Sequence, residues 1–162
     1  MKMKIIGIVG WKDSGKTHLV SEIIKNLKLK KLKVASIKHA HHEFDIDHKN
    51  TDSYIHRQSG SSQIIVSSSK RWAKITELEN SNEKKLNELI EQLSYTDIVI
   101  VEGFKKENHP KIELIKDGND NYLFNKISNI KAIISDKKIN TELHQFKRND
   151  IELIVNFILN KI

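Results

Sequence analysis

The sequence predicts an α/β fold of three layers, with a mostly parallel central sheet flanked by helices. Strand-like and helix-like apolar patterns alternate along the chain, as they do in repeated βαβ units. In the strand predicted over residues 97–101, the four residues after Asp97 are apolar toward both faces, which is typical of a strand buried in a parallel sheet. The length of 162 residues suits one domain with a sizeable core, so we expect a single domain over residues 1–162.

Each element follows from its own apolar pattern. Short apolar runs predict strands, and apolar residues at a spacing of three or four predict helices. The predicted strands span residues 4–9, 33–37, 63–66, 97–101, 111–115 and 130–135, and the predicted helices span 17–29, 52–58, 82–93 and 150–159. Asp52 or Ser53 is expected to cap the second helix. The polar segment 39–50 is predicted to be a loop.

Charge and composition narrow the classes of partner. Lys and Arg total 28 against 21 Asp and Glu, a net charge of +7, which favours a nucleic acid, a membrane surface or a phosphorylated small molecule. Only three basic residues are arginine, and aromatic residues make up 6%, which disfavours nucleic-acid recognition. No segment approaches the roughly 18 apolar residues of a membrane helix, and the start does not resemble a signal peptide. We therefore expect a cytoplasmic protein without nucleic-acid or membrane partners.

Residues 10–17 read Gly-Trp-Lys-Asp-Ser-Gly-Lys-Thr and match the phosphate-loop pattern G-x-x-x-x-G-K-[ST]. The glycines allow the backbone to wrap around phosphate oxygens at a helix N-terminus. Lys16 would reach the β- and γ-phosphates, and the Thr17 hydroxyl would bind Mg²⁺. The motif lies between a predicted strand and a predicted helix, as it must. It indicates the fold of P-loop NTPases and one P-loop nucleotide-binding domain.

Two acidic residues at predicted strand ends are candidates for binding the metal ion and the base of a nucleotide. Glu102 follows the apolar strand 97–101 and precedes Gly103, so it is the candidate for holding Mg²⁺ through a water. Asp136 follows the strand 130–135. A carboxylate there could accept hydrogen bonds from guanine N1 and N2, a donor pair that adenine lacks. The alternative is that Asp136 caps a turn.

Residues 38–48 contain four His, one Glu and two Asp. They should lie at the carboxyl edge of the sheet beside the phosphate loop. Lys38 could contact phosphate, and His39 could lie beside it. The imidazoles and carboxylates would also suit Zn²⁺ or Ni²⁺, and the third alternative is a solvated polar loop.

With these residues in view, the chain resembles the molybdopterin-guanine dinucleotide biosynthesis protein B family. The matching stretches run in the family's order and cover most of the chain: residues 10–17, 38–42, 44–47, 52–54, 56–57, 71–73, 101–105, 110–113 and 134–136. The chain departs at residues 49–51, where Lys-Asn-Thr replaces the family's Pro-Gly-Lys. Asn50 can still adopt a left-handed conformation, so we expect the turn to survive.

The resemblance implies an accessory protein of molybdenum cofactor synthesis that binds GTP with Mg²⁺ and hydrolyses it weakly at most. It also implies a homodimer that assists the guanylyltransferase and possibly contacts molybdopterin itself. No catalytic residue is assigned. The predicted nucleotide-binding residues are Gly10, Trp11, Lys12, Asp13, Ser14, Gly15, Lys16, Thr17, His18, Lys38, His39 and Asp136, and the predicted metal-binding residues are Thr17 and Glu102.

Two other functions use the same motifs. A small-molecule P-loop kinase would share the loop, but it usually needs a basic lid, and the chain has only three arginines. A nickel-loading metallochaperone GTPase would use His39, His41, His42 and His48. Because the chain has no cysteine, a disulfide framework, a cysteine zinc site and a cysteine nucleophile are excluded.

Overall fold

The computed structural model describes residues 3–40, 44–79 and 82–162. The chain forms two compact units, one made of Met1–His39 with Leu86–Ile162 and the other of Ala40–Lys85. In chain order the elements are β1 (Lys4–Val9), α1 (Lys16–Leu29), β2 (Val34–Lys38), α2 (Asp52–Gln58), β3 (Gln63–Ser67), β4 (Trp72–Thr76), α3 (Leu86–Ile90), β5 (Ile98–Glu102), β6 (Lys111–Leu114), a 3₁₀ turn (Leu123–Asn125), β7 (Ile130–Ile134), β8 (His144–Phe146) and α4 (Ile151–Lys161). The single domain expected over residues 1–162 stays a prediction.

The first unit contains a six-stranded sheet in the order β2-β5-β1-β6-β7-β8. Its strand pairings are all parallel. Side chains alternate between its faces: Ile6 and Ile8 pack with the apolar sides of α1 and α4, whereas Val99 and Val101 pack with Leu86 at the start of α3. The sheet is therefore the middle of three layers, which confirms the predicted fold class.

The second unit is built from α2 and an antiparallel ribbon of β3 and β4. In this ribbon Ile64 lies opposite Ile75, and Ile65 lies opposite Lys74. Residues directly opposite share a face, so one face carries the buried Ile64. The other face carries Ile65 and Trp72, which are 66% and 69% exposed.

The sequence patterns missed two strands and misjudged one helix. β4 lies in an exposed ribbon and β8 has only three residues, so neither shows a sustained apolar run. The helix predicted over 82–93 is regular only over Leu86–Ile90. The predicted apolar residues Leu89, Ile90 and Leu93 still pack against the core. Apolar periodicity predicts which side chains are buried, but it does not predict where the helical hydrogen bonds begin and end.

Helix ends were also predicted imperfectly. The residue preceding α2 is Thr51, and no side-chain cap hydrogen bond is made there, so the prediction that Asp52 or Ser53 caps this helix is wrong. The Thr51 hydroxyl turns back instead and donates to the His48 carbonyl at 2.8 Å.

Among the described helices, none combines the length and apolarity needed to cross a membrane.

Candidate functional site

The candidate residues of the first unit meet at the carboxyl edge of the parallel sheet. β1 lies between β5 and β6 and leads directly into the loop 10–17. The strand register places Ile8 of β1 beside Glu102, and Glu102 beside Lys38 of β2. Since parallel strands end at a common edge, the sheet itself brings the loop, Glu102 and Lys38 together.

The two glycines of the loop are required by different features. A Cβ at Gly10 would lie 2.6 Å from the Leu114 carbonyl oxygen, so the loop approaches β6 too closely for a side chain. Gly15 precedes α1 with φ +93°, a left-handed conformation that glycine adopts without strain. The loop therefore turns into the N-terminus of α1, where backbone N–H groups and the helix dipole favour an anion.

The side chain of Lys16 folds back over this loop. Its ammonium donates to the Trp11 carbonyl at 2.8 Å. Burial lowers the pKa of Lys16, and the carboxylate of Glu102 opposes that effect. A phosphate bound at the α1 N-terminus would offer the ammonium a charged acceptor in place of a neutral carbonyl, which makes a stronger hydrogen bond.

Thr17 and Glu102 form the acidic side of the site. The Thr17 hydroxyl lies 3.3 and 3.5 Å from the two carboxylate oxygens of Glu102. The Lys38 ammonium lies 3.6 Å from the same carboxylate. The structure thus brings together the two residues predicted to bind Mg²⁺ and places Lys38 beside them.

His39 lies on the β5 side of this edge. Its main-chain N–H donates to the Glu102 carbonyl at 2.9 Å, and its ring stacks on Phe104 at 4.6 Å between centroids. Gly103 has φ +95°, and a Cβ there would lie 2.9 Å from Cβ of His39. The Glu-Gly-Phe sequence therefore allows the ends of β2 and β5 to approach closely.

Trp11 anchors the opposite side of the loop. Its indole N–H donates to the Asn121 carbonyl at 2.6 Å, and the Lys105 ammonium lies 4.9 Å from the indole ring centroid. Lys105 also lowers the pKa of Lys16, so the two cations are close. Lys12 and Asp13 are exposed, and Asp13 has φ +59°. Lys105 was not among the residues predicted to bind nucleotide, although it lies in the stretch 101–105 that resembles the family.

Asp136 follows β7 and is held by Arg148. The main-chain N–H of Arg148 donates to Oδ1 of Asp136 at 3.1 Å, and the guanidinium Nε lies 3.4 Å from Oδ2. Arg148 also donates to the Ser14 carbonyl at 2.8 Å. Arg148 was not among the residues predicted to form the site. Its position before α4 offered no signal, because the short strand β8 that delivers it was not predicted.

A cavity of about 460 Å³ opens beside the start of α1. Its wall includes Gly15 and His18 from the loop and α1, and Arg148 and Asn149 from the segment before α4. The side chain of Ser14, between the loop glycines, is buried. His18 therefore borders a space that adjoins the phosphate loop and Arg148.

The His-rich and acidic segment divides between the units. Asp45 and Asp47, in the second unit, contact Arg57 at 2.7 Å each, and Glu77 contacts it at 3.0 Å. His41, His42 and Glu43 lie outside the described residues. Within residues 3–40, 44–79 and 82–162, no three His, Cys, Asp or Glu side chains converge as metal ligands. Asn50 has φ +70°, as the expected left-handed turn requires.

Comparison with known proteins identifies the family. The family model described as molybdopterin guanine dinucleotide synthesis protein B matches residues 5–136. A molybdopterin-guanine dinucleotide biosynthesis adapter protein of Escherichia coli is 33% identical over 159 residues, covering 96% of this chain and 91% of the relative. The adapter protein of Haemophilus influenzae is 39% identical over 115 residues, covering 70% of this chain and 64% of that relative.

Solved structures agree with the sequence relatives. A crystal structure of molybdopterin-guanine biosynthesis protein B superposes with a TM-score of 0.79 at 28% identity, covering 98% of this chain and 99% of that one. The structure of Bacillus subtilis MobB gives a TM-score of 0.78 at 24% identity, covering 98% of both chains. With the phosphate loop, Glu102 and the strand order in place, the chain belongs to the molybdopterin guanine dinucleotide synthesis protein B family.

Proposed function

We propose that this protein is a GTP-binding adapter in the synthesis of molybdopterin guanine dinucleotide. The observation that supports nucleotide binding best is the cluster of Lys16, Thr17 and Glu102 at the N-terminus of α1. An ammonium, a hydroxyl and a carboxylate around a glycine-built loop are the groups that bind a nucleotide phosphate with its cation.

The donor set suits Mg²⁺. Magnesium prefers hard oxygen ligands and retains several waters, so it needs few protein groups. Thr17 and Glu102 supply a hydroxyl and a carboxylate 3.3 Å apart. In the proposed complex Thr17 and Glu102 hold the cation, which neutralises phosphate charge, while Lys16 and Lys38 contact phosphate oxygens. Lys105 adds a third cation beside Lys16.

Guanine recognition is proposed for Asp136. Its side chain is 53% exposed although Arg148 contacts it, so its carboxylate retains acceptor capacity. Arg148 in turn lines the cavity beside Gly15 and His18. A nucleotide whose phosphates bind to the loop could therefore place its base in this adjoining cavity. Adenine presents no donor pair matching a carboxylate, so GTP should bind more tightly than ATP.

Isothermal titration calorimetry with GTP and with ATP, each with and without Mg²⁺, tests this function. We expect the protein to prefer GTP and to need Mg²⁺ for its highest affinity. Lys16→Ala should weaken GTP binding by about a hundredfold, because a charge-assisted contact to phosphate is lost. The matched control Lys138→Ala removes an exposed lysine and should bind normally. A preference for ATP would contradict guanine recognition, and an unaffected Lys16→Ala variant would contradict phosphate binding by the loop.

The adapter role concerns protein partners. The relatives are named adapter proteins, so we propose that the protein assists the guanylyltransferase that joins GMP to molybdopterin, and that it acts in the cytoplasm. Binding, and not turnover, is then the principal activity, with weak GTP hydrolysis at most. Co-purification of the two proteins, compared with and without GTP, would test the interaction.

We also propose a homodimer formed through the second unit. An isolated two-stranded ribbon is only marginally stable in water, and the β3–β4 ribbon exposes Ile65 and Trp72 on one face. A second copy of the same ribbon would cover these two apolar side chains symmetrically, as two-fold dimers do.

A further inference from the structure

The guanidinium of Arg148 connects four parts of the first unit. It donates to the main-chain carbonyls of Ser14 and Ile115. It also lies 3.4 Å from the carboxylate of Asp136 and 3.7 Å from that of Asp117. The side chain is 26% exposed, so these contacts are partly shielded from solvent, which strengthens them. The two carbonyls accept hydrogen bonds from the planar guanidinium, whereas the two carboxylates are ion-pair contacts, since Nε has no hydrogen-bond partner among the described residues.

The contact with Ser14 constrains the phosphate loop. In a trans peptide the C=O and the following N–H point in opposite directions. Arg148 holds the Ser14 carbonyl at 2.8 Å, so the N–H of Gly15 is turned to the opposite side. Gly15 has φ +93° and precedes α1 directly. The backbone of a glycine rotates freely in the absence of such a contact. This freedom must be lost before the N–H groups of the loop can converge on an anion.

The contact with Asp136 constrains the other end of the site. Oδ1 accepts the main-chain N–H of Arg148 at 3.1 Å, and Oδ2 lies 3.4 Å from Nε. The first contact is a hydrogen bond and the second is an ion pair, and together they restrict the orientation of the carboxylate. A carboxylate that must accept two parallel hydrogen bonds from a planar base needs such a fixed orientation.

We propose that Arg148 is a positioning residue that prepares both ends of the nucleotide site at once. It orients the Ser14–Gly15 peptide for phosphate and the Asp136 carboxylate for guanine. This inference rests on the proposed GTP binding and extends it: phosphate affinity and base selectivity depend on a side chain that acts through the Ser14–Gly15 peptide and the Asp136 carboxylate.

The test measures dissociation constants of three Mg²⁺-containing ligands by calorimetry: GTP, ATP and inorganic triphosphate, which has no base. In Arg148→Ala, triphosphate binding should weaken about tenfold or more, because one charge-assisted hydrogen bond typically changes an equilibrium constant by that much. The GTP-to-ATP affinity ratio should fall as well. In Asp136→Ala the ratio should fall while triphosphate binds as it does to the unaltered protein.

Two further variants make the result decisive. Lys147→Ala removes the exposed neighbouring charge and should leave all three constants unchanged. Arg148→Lys retains the charge but loses the planar fork, so its triphosphate affinity should lie between those of Arg148→Ala and the unaltered protein. It serves in place of Arg148→Ala if circular dichroism shows that the alanine variant unfolds. Normal triphosphate affinity or normal GTP preference in a folded Arg148→Ala or Arg148→Lys variant overturns the inference. If the unaltered protein binds neither GTP nor triphosphate, the proposed function itself is overturned along with it.

Discussion

Lys111 and Glu113 are almost completely buried on one face of β6, while Ile112 and Leu114 point into the core on the other. The Lys111 ammonium donates to the carbonyls of His109 and Ser128 at 3.0 and 3.3 Å. The Glu113 carboxylate accepts two main-chain N–H groups at the start of the 3₁₀ turn, at 2.8 Å each. Burial raises the pKa of Glu113, and these hydrogen bonds oppose the rise. Both charges thus bind loop backbone that covers this face.

His109 lies beside this pair and is also buried. A Cβ at Gly7 would collide with its imidazole, so glycine at position 7 of β1 makes room for the ring. Both ring nitrogens lack a hydrogen-bond partner among the described residues. Burial, with a smaller contribution from the Lys111 ammonium, lowers the pKa of His109 to about 4.

This residue should make stability depend on pH. When the pH falls below the ordinary pKa of histidine, His109 becomes protonated in the unfolded chain. In the folded protein it stays neutral until the pH reaches about 4. The free energy of unfolding should therefore fall as pH drops from about 6.5 to 4, by on the order of 3 kcal/mol from this group. His109→Leu should remove that part of the decline. Urea unfolding at pH 7 and pH 5 measures it, with the exposed His144→Gln as control. An identical pH dependence in His109→Leu would contradict the assignment.

At the scale of elements, Arg57 organises the second unit. It projects from α2 and contacts Asp45 and Asp47 of the preceding loop and Glu77, which follows β4. The carboxylate of Asp47 is held through two contacts, with Nε at 3.2 Å and Nη2 at 2.7 Å, and these hydrogen bonds keep its pKa below the ordinary value. One guanidinium therefore joins a helix, a loop and the ribbon.

Removing this guanidinium should loosen the second unit. Arg57→Ala leaves Asp47, whose side chain is only 7% exposed, without its counter-ion. We expect limited proteolysis within residues 44–79 to accelerate by roughly an order of magnitude, since local opening controls cleavage. Arg57→Lys, which keeps the charge and loses the fork, should give an intermediate rate. Lys70→Ala, in the exposed β3–β4 turn, is the control. Equal rates in Arg57→Ala and the control would show that the contacts contribute little.

At the scale of the whole molecule, the two units have different cores. The first buries apolar residues on both faces of a six-stranded sheet. In the second, Ile64 is the buried hydrophobic residue among those described, and Phe44, Ile46, Ile65 and Trp72 are more than half exposed. A unit that buries so little apolar surface gains stability when another surface covers it.

The proposed dimer predicts a change in oligomeric state when the exposed apolar side chains of the ribbon are altered. Ile65→Lys replaces an exposed apolar side chain of the ribbon with a second ammonium beside Lys74, and burying an unpaired charge is costly. Light scattering coupled to size-exclusion chromatography should give twice the chain mass of 18.8 kDa for the unaltered protein and a single chain for Ile65→Lys. Leu29→Lys changes an apolar residue of α1 that is even more exposed, at 81%, and should remain dimeric. A dimeric Ile65→Lys variant would place the contact elsewhere.

Sequence alone determined the features that depend on local pattern. Apolar periodicity and glycine spacing gave β1, α1 and the loop between them, because each side chain's direction follows from its place in a strand or helix. The phosphate-loop residues and Glu102 were predicted from the same kind of local pattern, and the family resemblance rested on such short stretches. Asn50 was expected in a left-handed turn and adopts it.

Only the tertiary structure decided which distant residues meet. Arg148 reaches Ser14 across 134 positions, and Trp11 reaches Asn121 across 110. Neither pair leaves a local pattern, because contacts between loops depend on the order of strands in the sheet and not on the residues adjacent in sequence. Sequence therefore predicted the phosphate-loop pattern and the acidic residue at the end of β5, whereas the fold decided that Arg148 contacts both the loop and Asp136.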